Sequence, residues 1–123
     1  MIESVYFREA EFRACTPSCS LQDMDARLVS MLDLARAKAG IPLVLNSAFR
    51  PVAWERSHGR AGTSAHCTGK AVDIRCGSSA ARYRVVTGLL AAGFTRIGIG
   101  RTFVHADCDP TKAQQVIWDY YNE

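Results

Sequence analysis

Two of the three histidines in this chain stand where an imidazole can do chemistry. His66 ends a stretch rich in Arg, Gly, Ser and His, and His105 lies in TFVHAD (102–107). Between them, KAVDIR (70–75) carries Asp73. Both short segments alternate as strands do. Ala71 and Asp73 share one face and Val72 and Ile74 the other; Phe103, His105 and Asp107 share one face and Val104 and Ala106 the other. Two imidazoles and a carboxylate make a three-ligand zinc set with a fourth position open, the feature that separates a catalytic from a structural site. Taken singly, His66 reads as a solvated loop residue and His105 as a satisfied core histidine. The combination is more specific, because SAHCTGKAVDI (64–74) fits S-x-H-x-x-G-x-A-x-D at Ser64, His66, Gly69, Ala71 and Asp73.

The elements that must position these residues are short. Ser20 is a helix N-cap by type, and Leu21, Met24, Leu28, Leu32 and Ala35 follow at helical spacing until Gly40 and Pro42 stop the helix. LVLNS (43–47) reads as a strand. Residues 49–69 read as one long loop, a length that in a small domain usually serves function. Ser79 can cap a second helix with Tyr83, Val86 and Leu90 on its apolar face and Gly93 as its stop. RIGIG (96–100), TFVHAD (102–107) and VIWDY (116–120) read as further strands. Helices mixed with short strands predict an α+β fold, a small, mostly antiparallel sheet with helices packed on one side.

With 123 residues and no repeat or linker, the chain reads as a single domain, 1–123. Its 48% apolar and 22% charged residues argue against disorder and coiled coil. No apolar run reaches the roughly 18 residues of a membrane helix. MIESVYFREAEF lacks the apolar region of a signal peptide, so the expectation is a protein made in the cytoplasm. The net charge of +3 suits an anionic partner. The arginines of PVAWERSHGR are interrupted by Glu55 and Gly59, and no nucleic-acid-binding motif accompanies them, so neither nucleic acid nor membrane is expected as a partner. The five cysteines read mainly as small hydrophobes in a reduced protein, with Cys15–Cys19 or Cys76–Cys108 as the alternative bridges. Cys67 and Cys108 adjoin site residues without being read as ligands, and Trp54 and Trp118 read as packing or cleft-lining residues.

SAHCTGKAVDI, the preceding NSAFR (46–50) and GFTRIGIGRTFVHAD (93–107) together resemble the D-alanyl-D-alanine carboxypeptidase family of zinc peptidases, which shares its zinc-binding fold with lysostaphin-type and hedgehog domains. The resemblance runs from about Cys19 to Trp118. It implies one Zn2+ per chain held by His66, Asp73 and His105, and a peptidoglycan stem peptide as substrate, cut by a metal-activated water in a D-Ala-D-Ala carboxypeptidase or endopeptidase reaction. It further implies that Arg50 contacts substrate or the developing oxyanion and that Ser64 supports the site by hydrogen bonding. A wall enzyme without a visible signal peptide fits a phage or prophage lysin, expected here as a monomer.

The chain departs from the family pattern at one place. Many members carry an acidic residue three positions before the second zinc histidine, or a histidine two before it, and here those positions are Thr102 and Phe103. Asp107, on the same strand face as His105, is then either the general base or the carboxylate that orients His105. Glu55 and His58 are further acid–base candidates. The missing acidic group also admits an alternative function, a non-catalytic zinc-containing wall-binding module.

Overall fold

A computed structural model describes residues 1–121; the last two positions of the 1–123 span lie outside it. Helix α1 covers Glu9–Arg13, α2 Ala26–Ala39, α3 Val52–Ser57 and α4 Ser79–Ala91. Strands β1 to β5 cover Leu45–Ser47, Ala71–Arg75, Arg96–Ile99, Phe103–Asp107 and Val116–Asp119. They form one sheet in the order β1-β2-β4-β3-β5. Every neighbouring pair is antiparallel except β3 and β5, which run parallel. The fold is α+β with a mostly antiparallel sheet, as the sequence predicts.

Alternation sorts the sheet into two faces. Val72, Ile74, Ile97, Val104 and Ala106 are fully buried in the core cluster with Leu28, Leu32 and Ala35 of α2 and Val85 and Leu89 of α4. The opposite face carries Asp73 and His105. They are register partners across β2 and β4, so their side chains emerge side by side from adjacent strands.

Several local expectations are corrected. The helix expected from Ser20 is two elements: Ser20 caps a 3-10 turn, Leu21–Asp23, and the Asp25 carboxylate caps α2 by accepting from Arg27 and Leu28. An aspartate five residues on offers the same capping chemistry, and the apolar spacing runs through both elements. Ser78, not Ser79, caps α4. The buried face of α4 is Val85, Gly88 and Leu89, whereas Tyr83 and Leu90 are exposed. Gly88 hides that stripe from a hydrophobicity reading: it is buried because Ala35 and Ala39 of α2 press against it, and a Cβ there would lie 2.8 Å from the Ala39 Cβ. The stretch 49–69 is not one loop, since it contains α3 and a 3-10 turn, Ala65–Thr68. The only buried side chain of α3 is Glu55, so no apolar periodicity announces the helix.

Candidate metal centre

His66 rides on the 3-10 turn Ala65–Thr68, which Gly69 ends in a left-handed conformation at φ 69°. Any Cβ at Gly69 would also collide with the backbone of Asp23, and the Gly69 carbonyl accepts from the Asp25 amide at 2.9 Å. The motif glycine thus seats the His66 turn against the entrance to α2. His105 comes from the middle of β4 and Asp73 from the middle of β2.

The three side chains meet. Asp73 Oδ1 lies 3.4 Å from His66 Nε2 and 3.0 Å from His105 Nδ1, and one ligand atom from each residue falls within 4.8 Å of the other two. A tetrahedral zinc site with bonds of about 2.0–2.1 Å places neighbouring donors about 3.4 Å apart, so the donors are close to a ready-made ligand set. The ring nitrogens that face away are also committed. His66 Nδ1 sits 2.7 Å from the Ala48 carbonyl, and His105 Nε2 sits 2.7 Å from Asp107 Oδ2. Each acceptor holds a proton on the outer nitrogen and leaves the inner nitrogen's lone pair for a cation. Nitrogen and carboxylate donors of this kind suit zinc.

The same three groups also lie within pairing distance of one another. Burial opposes charge on Asp73, but hydrogen bonds from His105 and His66 outweigh it and hold the carboxyl well below the usual aspartate range. Burial likewise opposes charge on His105, yet Asp107 and Asp73 on its two sides raise its pKa.

Asp107 is 1% exposed and fully engaged. Its Oδ2 takes His105 Nε2, and its Oδ1 accepts from Arg96 Nε at 2.7 Å and from the Asp109 amide at 3.1 Å. It lies on the far side of the imidazole from Asp73 and does not line the cleft that the ligand set opens into. Arg50 does line that cleft and is held from three directions: Nε donates to Ser47 Oγ at 2.9 Å, one terminal nitrogen to Glu55 at 3.2 Å and the other to Asp73 Oδ2 at 3.0 Å. Ser64 donates to the same Glu55 oxygen at 2.6 Å. Burial favours the neutral form of Glu55, but bonds from Ser64, Cys67 and Arg50 prevail and lower its pKa. Glu55 is therefore a buried anion joining Ser64 to Arg50. His58 is exposed, stacked on Trp54 at 4.0 Å, and is not brought to the cleft. All five cysteines are free thiols, and none belongs to the ligand set.

Sequence reasoning missed Arg96, Arg60, Arg101 and Tyr120. Arg96 is placed beside Asp107 only by strand pairing, and its guanidinium covers the Trp118 ring at 4.8 Å. Trp118 and Tyr120 pack beside His105, with ring centroids 5.5 Å and 6.5 Å from the imidazole. They occupy the space over Gly98, the register partner of His105 on β3; a Cβ on Gly98 would come within 2.7 Å of Tyr120 and 2.8 Å of Trp118. An absent side chain was the available signal, legible only once the register is known.

The sequence matches the family described as Peptidase M15 over residues 5–109, a span that includes the three candidate ligand residues, Arg50, Ser64 and Asp107. Trp118 and Tyr120 lie beyond it. No curated protein matches the chain. With a match over most of its length and a His-His-Asp group able to bind a metal, the chain belongs to the Peptidase M15 family of zinc D-Ala-D-Ala carboxypeptidase-like peptidases.

Proposed function

We propose that this protein is a zinc-dependent hydrolase of peptide bonds in peptidoglycan stem peptides, of the D-Ala-D-Ala carboxypeptidase or endopeptidase type, acting on the cell wall. The observation that carries this reading is the convergence of His66 Nε2, Asp73 Oδ1 and His105 Nδ1, with both outer ring nitrogens already bonded. These three atoms would hold one zinc ion. When bound, zinc supplies a Lewis acid that makes water a nucleophile near neutral pH and polarises a carbonyl.

The chain's own residues supply the rest. A guanidinium has five N–H donors, and the bonds from Arg50 to Ser47, Glu55 and Asp73 use three of them. The remaining two can meet the oxygen of the scissile carbonyl as its charge grows. Because Glu55 and Ser47 fix the guanidinium beforehand, little reorganisation is needed. Ser64 keeps Glu55 in place. Asp107 acts as a positioning residue for His105, since its oxygens are taken and it stands outside the cleft.

The test is metal analysis of the purified protein together with mass spectrometry of stem peptides after incubation. One zinc per chain, its loss in His66→Ala and Asp73→Ala, and a new peptide terminus are expected. Failure to bind any divalent metal at neutral pH would overturn the reading. Zinc retained and stem peptide bound but never cut would instead identify the non-catalytic wall-binding module. The masses of the products distinguish carboxypeptidase from endopeptidase cleavage.

A further inference from the structure

Two thiols meet on the far side of Arg50 from the cleft's ligand set. Cys15 and Cys19 close a five-residue turn, CTPSC (15–19), that follows α1, and their thiols are hydrogen-bond partners of each other. Both main-chain amides converge on one acceptor, the Phe12 carbonyl, at 3.1 Å each, and Cys19 Sγ lies 3.7 Å from the same oxygen. Cys15 Sγ lies 3.3 Å from the Glu11 carbonyl and 3.8 Å from that of Leu45. Cys67 and Cys76 bond elsewhere, to Ser64 and to the Ser78 carbonyl. Both thiols of the turn are buried, while Thr16 and Ser18 between them face solvent.

The turn is joined to the segment that carries Arg50. The Thr16 amide donates to the Asn46 carbonyl at 2.9 Å, and the Thr16 carbonyl accepts from Ser47 Oγ at 2.8 Å. Ser47 Oγ in turn accepts from Arg50 Nε at 2.9 Å. The amide of Phe49, the residue before Arg50, bonds to the Cys19 sulfur. The arrangement also makes the two thiols unequal. Once Cys19 loses its proton, the Cys15 S–H and the Phe49 amide both donate to the thiolate. That lowers the Cys19 pKa against the cost of burial and raises that of Cys15.

We propose that Cys15 and Cys19 are a modification site: a small disulfide donor, of the kind an oxidising compartment holds, bridges them, and the bridge locks the turn on which Arg50 is anchored. The Cys19 thiolate attacks one sulfur of the donor, forming a mixed disulfide and expelling one thiolate. Cys15 gives up its proton and attacks the Cys19 sulfur, and the donor's second thiolate leaves. Two cysteines are oxidised by two electrons, and one donor is reduced to two thiols. The donor enters through opening of the exposed Thr16–Ser18 turn. The match to an oxidising compartment rests on the proposed action at the cell wall; the pair and its link to Arg50 rest on geometry.

The experiment equilibrates the folded full chain with mixtures of reduced and oxidised glutathione, alkylates the remaining thiols, and maps the cysteines by mass spectrometry. Cys15 and Cys19 should be mostly alkylated in the large excess of reduced glutathione typical of cytoplasm and mostly bridged in an equimolar mixture. Cys67, Cys76 and Cys108 should be alkylated in both. Hydrogen exchange on the two forms then reads the anchor. Exchange of the Thr16 and Phe49 amides should slow about tenfold in the bridged form, within what closing so short a loop can supply. Cys15→Ser should trap the mixed disulfide on Cys19 and abolish the slowing. Three results would each overturn the proposal: no Cys15–Cys19 bridge in the equimolar mixture, accumulation of only the mixed disulfide in the unaltered chain, or a bridge that leaves both amides exchanging as before. None of these readouts needs zinc or turnover. A bridge that forms and slows exchange in a protein that cuts no stem peptide leaves the pair standing and removes the peptidase reading.

Discussion

Replacing Asp107 by asparagine removes one charge and almost no volume, and the hydrogen bonds around it dictate the consequence for zinc. Oδ1 of Asp107 accepts two donors, the Arg96 guanidinium and the Asp109 amide, whereas Oδ2 accepts only His105 Nε2. An asparagine has one oxygen, and that oxygen will turn to the side with two donors, one of them cationic. Its NH2 then faces His105 Nε2. Two N–H groups cannot face each other at 2.7 Å, so the imidazole must move its proton to Nδ1, the nitrogen that faces Asp73. Zinc binding must then reverse that tautomer and leave two donors opposed in a buried place. Loss of such an orienting partner typically weakens metal affinity about 10–100-fold, or about 1.4–2.7 kcal/mol. Competition against a chromophoric chelator measures the affinity directly, and activity at saturating zinc measures what remains. The expected result is a fall in zinc affinity of that size, with substantial recovery of activity once zinc is in excess. Zinc affinity unchanged within twofold, with activity collapsed at saturation, would refute the reasoning and make Asp107 the proton carrier.

Three other perturbations probe the supports of the site. Glu55→Gln removes one of the two carboxylates paired with the buried Arg50; kcat/KM should fall at least tenfold and the Tm should drop, because stripping a counter-charge from a buried ion is destabilising. Retention of wild-type kinetics would show that Arg50 needs no such anchor. Gly98→Ala forces a Cβ into the Trp118 and Tyr120 rings, which should cost about 1–3 kcal/mol in denaturant unfolding and change tryptophan fluorescence; an unchanged midpoint would mean that the rings do not rest there. Asp25→Ala removes the α2 cap and the partner of Lys70, for a loss of about 1 kcal/mol at neutral pH. Burial alone would raise the Asp25 pKa, but Lys70 and the helix amides lower it below the ordinary 3.8. Its stabilisation is thus present above 3.8 and lost as pH falls through the lower folded-state value, so wild type and variant should converge in urea melts only in strong acid.

The grouping of the candidate ligands was legible because strand alternation and the motif spacing are local properties: which residues of 71–75 and 103–107 share a face follows from period two alone. The α+β class and the apolar spacing of α2 were legible for the same reason. The buried face of α4 was not, since a glycine contact scores as no hydrophobicity, and α3 was not, since its buried residue is a glutamate that finds its arginine only in the folded chain.

What the sequence by itself determined is the inventory: two imidazoles, a carboxylate, an arginine and a serine at spacings that suit a metal peptidase, on segments whose local geometry is short-range. Tertiary structure decided which atoms of that inventory work together. The pairing of β2 with β4 sets Asp73 beside His105, 32 residues away, and the pairing of β3 with β4 sets Gly98 beside the same histidine and so makes room for Trp118 and Tyr120. The placement of Ala48 and Asp107 then selects the nitrogen that each histidine offers. Register and hydrogen-bond partners are long-range quantities, fixed by which strands meet and by the requirement that buried polar groups be paired, and no period along the chain encodes them.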